Sequence, residues 1–74
     1  MTTAIFKSNL QLLRLPRAID KTGLSRSSLY ERISTGDFPK PVRLGTDARS
    51  VAWLEEEVDQ WIRNVVHRRD GESA

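Results

Sequence analysis

Apolar and polar positions along this chain follow three different rhythms. Near the C-terminal end, Val58, Trp61, Ile62, Val65 and Val66 recur at i, i+3, i+4, i+7 and i+8, the period of an amphipathic helix. Glu55-Glu56-Glu57 precede them and place acidic side chains at the positive end of that helix dipole. The pattern runs out near His67-Arg68-Arg69, and residues 70–74 are expected to fray. Earlier in the chain, Ala18, Ile19 and Thr22 share one face of a short helix. Leu29 and Ile33 form an inward i,i+4 pair on a second helix, from Arg26 to about Ser34. In a third stretch Val42 and Leu44 share parity, as do Val51 and Trp53. That alternation predicts a two-stranded ribbon with one apolar face, from which Arg43 points away.

The residues between these segments fit as punctuation. Pro16 suits a first helical position, where its missing N–H is no loss. Gly23 ends the first helix where a left-handed conformation is needed, Leu24 drops into the core, and Ser25 is an N-cap for the second helix. Thr35-Gly36-Asp37 ends that helix, and Phe38-Pro39-Lys40-Pro41 is a stiff connector that is neither helix nor central strand. The turn from Gly45 to Ser50 is polar. Leu12 to Leu15 is a short apolar stretch, either an edge strand or an approach to the first helix. The expected organisation is a flexible arm over 1–11, a domain over 12–69 and a disordered tail over 70–74. The expected fold class is mainly α with a small two-stranded antiparallel β wing, a winged helix-turn-helix.

Composition narrows the function classes. Seventy-four residues suffice for one small domain, whose core supplies roughly 3–5 kcal/mol without a staple. The chain has no Cys and only His67, so no disulfide, thiolate metal site or metal cofactor is expected. No apolar run approaches a membrane span and no signal-peptide pattern opens the sequence; a cytoplasmic location, nucleoid-associated when bound to DNA, is the expectation. No catalytic residues are assigned. Glu55, Glu56 and Glu57 are consecutive on a helix and do not face one another, no Ser/His or Cys/His pairing is present, and Gly36 and Gly45 belong to no phosphate-binding loop. The net charge is +2 but uneven: residues 1–54 hold nine Lys/Arg against four Asp/Glu, residues 55–74 three against six.

The segment Pro16–Ser34 reads as a helix-turn-helix, whose second helix presents its start to the major groove of DNA. Ser25, Ser27 and Ser28 can donate to phosphates or bases there, Arg26 can fork onto a guanine, and Arg32 lies farther along, toward backbone. The same helix-Gly-Leu-Ser-helix spacing also occurs in helical pairs that never meet DNA; on that reading Ser25 is only a cap and Tyr30 only packs. The ribbon that follows favours DNA, because Lys40, Arg43 and Arg49 are placed as wing contacts. Glu31 on the recognition helix, Thr46 and Ser50 in the wing and Arg17 on the first helix, as a phosphate contact, complete the candidate set. Trp53 and Trp61 fall on apolar periodicities and read as core.

The run Gly23-Leu24-Ser25-Arg26-Ser27-Ser28-Leu29-Tyr30, then Gly36-Asp37-Phe38-Pro39-Lys40-Pro41-Val42-Arg43-Leu44-Gly45, then Trp53, then Glu56-Glu57-Val58-Asp59-Gln60-Trp61-Ile62 resembles the AlpA family of prophage regulators, small relatives of MerR-type winged helices and phage excisionases. The resemblance spans roughly Leu13 to Ile62. It implies sequence-specific binding to double-stranded DNA without catalysis, as an excisionase beside an integrase at attachment-site repeats, as a transcriptional regulator at promoter repeats, or both. It also implies that Ser25–Ser28, Tyr30 and Arg32 meet groove and phosphate, and that Lys40, Arg43 and Arg49 are wing contacts. One departure is the continuation of the apolar stripe through Val65 and Val66, which either covers the core with Ile5 and Phe6 or offers a surface for cooperative self-association. The alternative function is a protein-interaction module that uses the same fold without DNA.

Overall fold

A computed structural model of the chain describes residues 10–47 and 49–73. The elements follow in the order β1 (Leu12–Leu13), α1 (Leu15–Thr22), α2 (Arg26–Thr35), β2 (Val42–Arg43), β3 (Val51–Leu54) and α3 (Glu55–Ser73).

Local chemistry sets the helix ends. Arg14 is the extended N-cap of α1, and Pro16 occupies its first turn. Gly23 adopts φ 75° and returns its N–H to the carbonyl of Ile19 at 2.8 Å. In that left-handed conformation an L-residue's Cβ crowds the following carbonyl oxygen, whereas glycine has no Cβ. The Thr22 hydroxyl donates to the Ala18 carbonyl at 2.8 Å and accepts from the Leu24 N–H at 3.2 Å, so it stitches the turn. Ser25 then caps α2: its Oγ accepts from the Ser28 N–H at 3.1 Å. At the other end Gly36, φ 85°, closes α2, and the Asp37 N–H reaches back to the Arg32 carbonyl at 2.8 Å.

Leu13, Ala18, Leu29, Phe38, Trp53 and Val58 form the buried cluster. Leu24, Ile33, Trp61 and Ile62 pack on it while remaining partly exposed. The core therefore takes side chains from every element except β2. Phe38 and Trp61 meet edge to face at 5.2 Å, which seats the connector against α3. Between α1 and α3, Lys21 Nζ lies 2.8 Å from Glu55 Oε2 and 2.6 Å from Asp59 Oδ1.

The sheet has three strands: the expected two-stranded wing, joined by Leu12–Leu13 as an edge strand, one of the two readings of that stretch. Its order is β1-β3-β2, antiparallel throughout, with Leu12 opposite Leu54, Leu13 opposite Trp53, Val42 opposite Ala52 and Arg43 opposite Val51. Leu12–Leu13 is thus an edge strand. The register also corrects the reading of the ribbon. Residues directly opposed on antiparallel strands share a face, so Arg43 falls on the Val51–Trp53 side and Val42 on the Ala52 side. Val42 and Leu44 are 46% and 45% exposed, whereas Ala52 and Trp53 are both fully buried. Parity misleads here because the middle of β3 is covered on both faces, while β2 is an edge strand that projects beyond the core.

The C-terminal helix is longer than its apolar stripe. It continues to Ser73, where fraying after Arg69 was expected. Gly71 does not stop it, because among the described residues only Gly23 and Gly36 take positive φ. Val65 and Val66 lie half-exposed on its second half. Of the expected arm, residues 1–9, with Ile5 and Phe6, lie outside the described residues; the Gln11 carbonyl accepts from the Glu55 N–H at 2.7 Å. The whole is a winged helix-turn-helix, mainly α with a small antiparallel sheet.

Candidate nucleic-acid interface

Helix α2 turns Leu29 and Ile33 to the core, and 100° steps along it fix where the other side chains go. Ser27 and Glu31 lie on the side opposite the core, and both are exposed. Arg26 and Tyr30 occupy the flank toward the sheet. Ser28 and Arg32 occupy the flank toward α3.

On the sheet flank, the Tyr30 ring stands edge-on to Trp53 at 6.2 Å, yet the residue keeps 38% of its surface exposed. Packing and accessibility therefore coexist in Tyr30. Around it opens a groove of about 400 Å³ lined by Arg14, Leu15, Pro16, Arg26, Tyr30, Arg49 and Val51. The sequence assigned Arg26, Tyr30 and Arg49 to DNA, and the fold brings these three together. It adds Arg14, which the sequence reading missed. The available signal was its place immediately before the Leu15-Pro16 helix start; an N-cap arginine makes no side-chain cap and is free to point outward.

On the opposite flank, Arg32 is engaged. Its Nη1 donates to Asp37 Oδ2 at 2.9 Å, and its guanidinium lies 6.0 Å from the Trp61 ring centroid. Arg68 Nη2 approaches the other Asp37 oxygen at 3.9 Å. Ser28 and Glu31 line this second groove with Arg32, Thr35, Asp37 and Arg68. The geometry sets Arg32 on the opposite flank from Arg26, two residues expected from the sequence to make different contacts, Arg32 toward backbone and Arg26 toward a base.

In the hairpin, Lys40, Arg43, Thr46 and Arg49 are exposed and Ser50 is half-buried. Asp47 organises the tip: its Oδ1 accepts from the Arg49 N–H at 3.0 Å and its carbonyl from the Ser50 N–H at 3.2 Å. The Ser50 carbonyl accepts from the Leu44 N–H at 2.7 Å, so its backbone closes the hairpin. The connector is fastened too, since Trp53 Nε1 donates to the Pro39 carbonyl at 3.0 Å. Arg17 lies exposed on α1.

Charge pairing sorts the cations. Lys21, Arg32 and Arg68 lie against carboxylates. Among the described residues, Arg14, Arg17, Arg26, Lys40, Arg43 and Arg49 have none. The two acidic neighbours hold Lys21 above the ordinary lysine value, the hydrogen bond to Asp59 first and that to Glu55 second. Among the described residues no three His, Cys, Asp or Glu are grouped to hold a metal ion, and no helix is long and apolar enough to cross a membrane.

The family model described as Prophage CP4-57 regulatory protein (AlpA) matches residues 11–66, from the edge of β1 through the middle of α3. The chain belongs to the AlpA family. Over 62 residues it is 37% identical to the DNA-binding transcriptional activator AlpA of Escherichia coli (strain K12), covering 76% of this chain and 86% of that one. Over 59 residues it is 42% identical to an uncharacterized protein of Enterobacteria phage P4, covering 80% of this chain and 65% of the phage protein. No solved structure matches. The AlpA match takes in the helix-turn-helix, the connector and the whole hairpin, so every candidate contact from Arg14 to Ser50 lies within it.

Proposed function

We propose that this AlpA-family protein is a sequence-specific double-stranded DNA-binding regulator of a prophage or mobile element. Helix α2 enters the major groove, and the hairpin from Lys40 to Ser50 lies on the neighbouring backbone. The observation that carries the reading is the sorting of cations: between Arg14 and Arg49, on the helix-turn-helix and the hairpin, six Lys and Arg have no ion-pair partner among the described residues. Unpaired, exposed cations release counterions when they meet phosphate. The Escherichia coli relative's role as a DNA-binding transcriptional activator supports control of transcription as the main output, at promoter repeats. Action as an excisionase at attachment-site repeats, beside an integrase, is the second reading.

One chain presents a single recognition helix and a single wing, so it covers a short site. Several copies on adjacent repeats, bound cooperatively, or one copy beside a partner protein would give useful occupancy. The test is a gel shift with a random duplex at two salt concentrations. Affinity should fall with a log–log slope of about −0.9 for each phosphate neutralised. No binding at low salt would overturn the proposal and leave the protein-interaction module. Genome-wide occupancy then separates the outputs: promoters for transcription, attachment-site arms for excision.

A further inference from the structure

The groove at Tyr30 assigns a different task to Arg26 from the one its sequence position suggests, and gives a task to Arg14. We infer that Arg14, Arg26 and Arg49 form one clamp for a single backbone phosphate, and that base reading falls to Ser27 and Glu31 on the outer face of α2. This rests on the DNA-binding reading above.

Three features of the groove lead to a phosphodiester. Among the described residues its lining has three arginines and no carboxylate, and none of the three is ion-paired. Arginine's planar fork suits the paired oxygens of a phosphate. The rest of the lining is Leu15, Pro16, Val51 and the Tyr30 ring, an apolar floor of the kind a deoxyribose covers. The three arginines come from three segments: the N-cap of α1, the first residue of α2 and the tip of the hairpin. A phosphate held there sits at the junction between the recognition helix and the wing, and it fixes how far α2 reaches into the groove. Arg26 lies on the flank of α2 beside Tyr30, whereas Ser27 and Glu31 project directly away from the core. A carboxylate there can accept from the amino group of a cytosine.

The experiment starts from a duplex selected from a random pool by the intact protein. Binding of wild type, Arg14→Ala, Arg26→Ala, Arg49→Ala and Glu31→Gln is measured by fluorescence anisotropy on this duplex and on a random one, at several salt concentrations. All four positions are exposed, and thermal melts confirm that each variant is folded. Each arginine substitution should weaken both duplexes by the same factor, about tenfold. Double arginine variants should cost less than the product of the singles, because one phosphate is shared. Glu31→Gln should change which bases are selected. A methylphosphonate scan of the selected duplex should find one neutralised phosphate that weakens wild type more than it weakens Arg14→Ala, Arg26→Ala or Arg49→Ala. Altered base preference in Arg26→Ala, unchanged affinity in Arg14→Ala, or different sensitive phosphates for the three arginines would each overturn the clamp. Failure of wild type to bind any duplex would instead overturn the DNA-binding reading itself.

Discussion

Trp53 donates its indole N–H to the carbonyl of Pro39 at 3.0 Å, so the connector after the recognition helix hangs from the centre of the sheet. The side chain is fully buried and also carries the Tyr30 ring. Trp53→Phe removes this donor, strands a carbonyl and leaves unfilled volume. The expected loss is about 2–4 kcal/mol in urea unfolding. For a core of this size that is most of the available stability, so duplex binding should fail with it. A variant as stable as wild type would show that the connector is held elsewhere.

Gly23 and Gly36 end the two helices of the helix-turn-helix, both with positive φ. A Cβ added at either position meets nothing within 4 Å, so only backbone strain opposes substitution. Gly23→Ala and Gly36→Ala should each cost about 1–2 kcal/mol, and the asparagine variants less, since Asn tolerates the left-handed region. Chemical denaturation resolves the difference. A larger loss for Ala would mean that the turn is sterically crowded.

Ser25 separates a folding role from a binding role. Its Oγ caps α2 through the Ser28 N–H. Ser25→Ala should cost about 1 kcal/mol of stability. Ser25→Asp retains an accepting oxygen and suits the positive helix end, so the melting temperature should hold. Its carboxylate would nevertheless face DNA, and duplex affinity should drop. Unchanged affinity in Ser25→Asp would remove the start of α2 from the interface.

Lys21 ties α1 to α3 and titrates above the ordinary lysine value, chiefly through its hydrogen bonds to Asp59 and Glu55. A folded-state pKa above the unfolded one stabilises fully below the unfolded value, about 10.4 for lysine, and is lost as pH rises through the folded value. Stability from this link should therefore be constant through neutral pH and decline only in strong alkali. Lys21→Met should lack that component of the alkaline decline. Parallel alkaline unfolding curves for the two proteins would assign the decline to other groups.

Much of the helix-turn-helix was legible because its signals are local. Gly23, Ser25 and Gly36 act on hydrogen bonds within four residues, and the structure shows each in its expected capping role. The sheet was less legible because its determinants are distant. A two-residue strand at Leu12–Leu13 exists only through Trp53 and Leu54, and no window around Leu12 contains that information. The face of Arg43 depended on register, which parity cannot supply when Ala52 and Trp53 are both buried. At the candidate site, Arg32 and Arg26 both read as contacts in the sequence, one toward backbone and one toward a base, because both lie on one helix. The partner of Arg32, Asp37, comes within reach only after the chain reverses at Gly36. Arg14 was overlooked because its neighbours in the groove, Arg26 and Arg49, are neighbours only in space.

The pairing of Leu13 with Trp53 also has a kinetic consequence. The two helices and the hairpin can each close over short stretches of chain, but joining β1 to β3 closes a loop of about forty residues, a slower and entropically costlier event. The helix pair α1 and α2 is therefore free to assemble early, while its orientation relative to the wing is settled only when the beginning of the domain zips onto the middle strand. Substitutions at Leu29, whose contacts form first, should therefore slow folding at least as much as those at Leu13, although both side chains are about equally deep in the finished core.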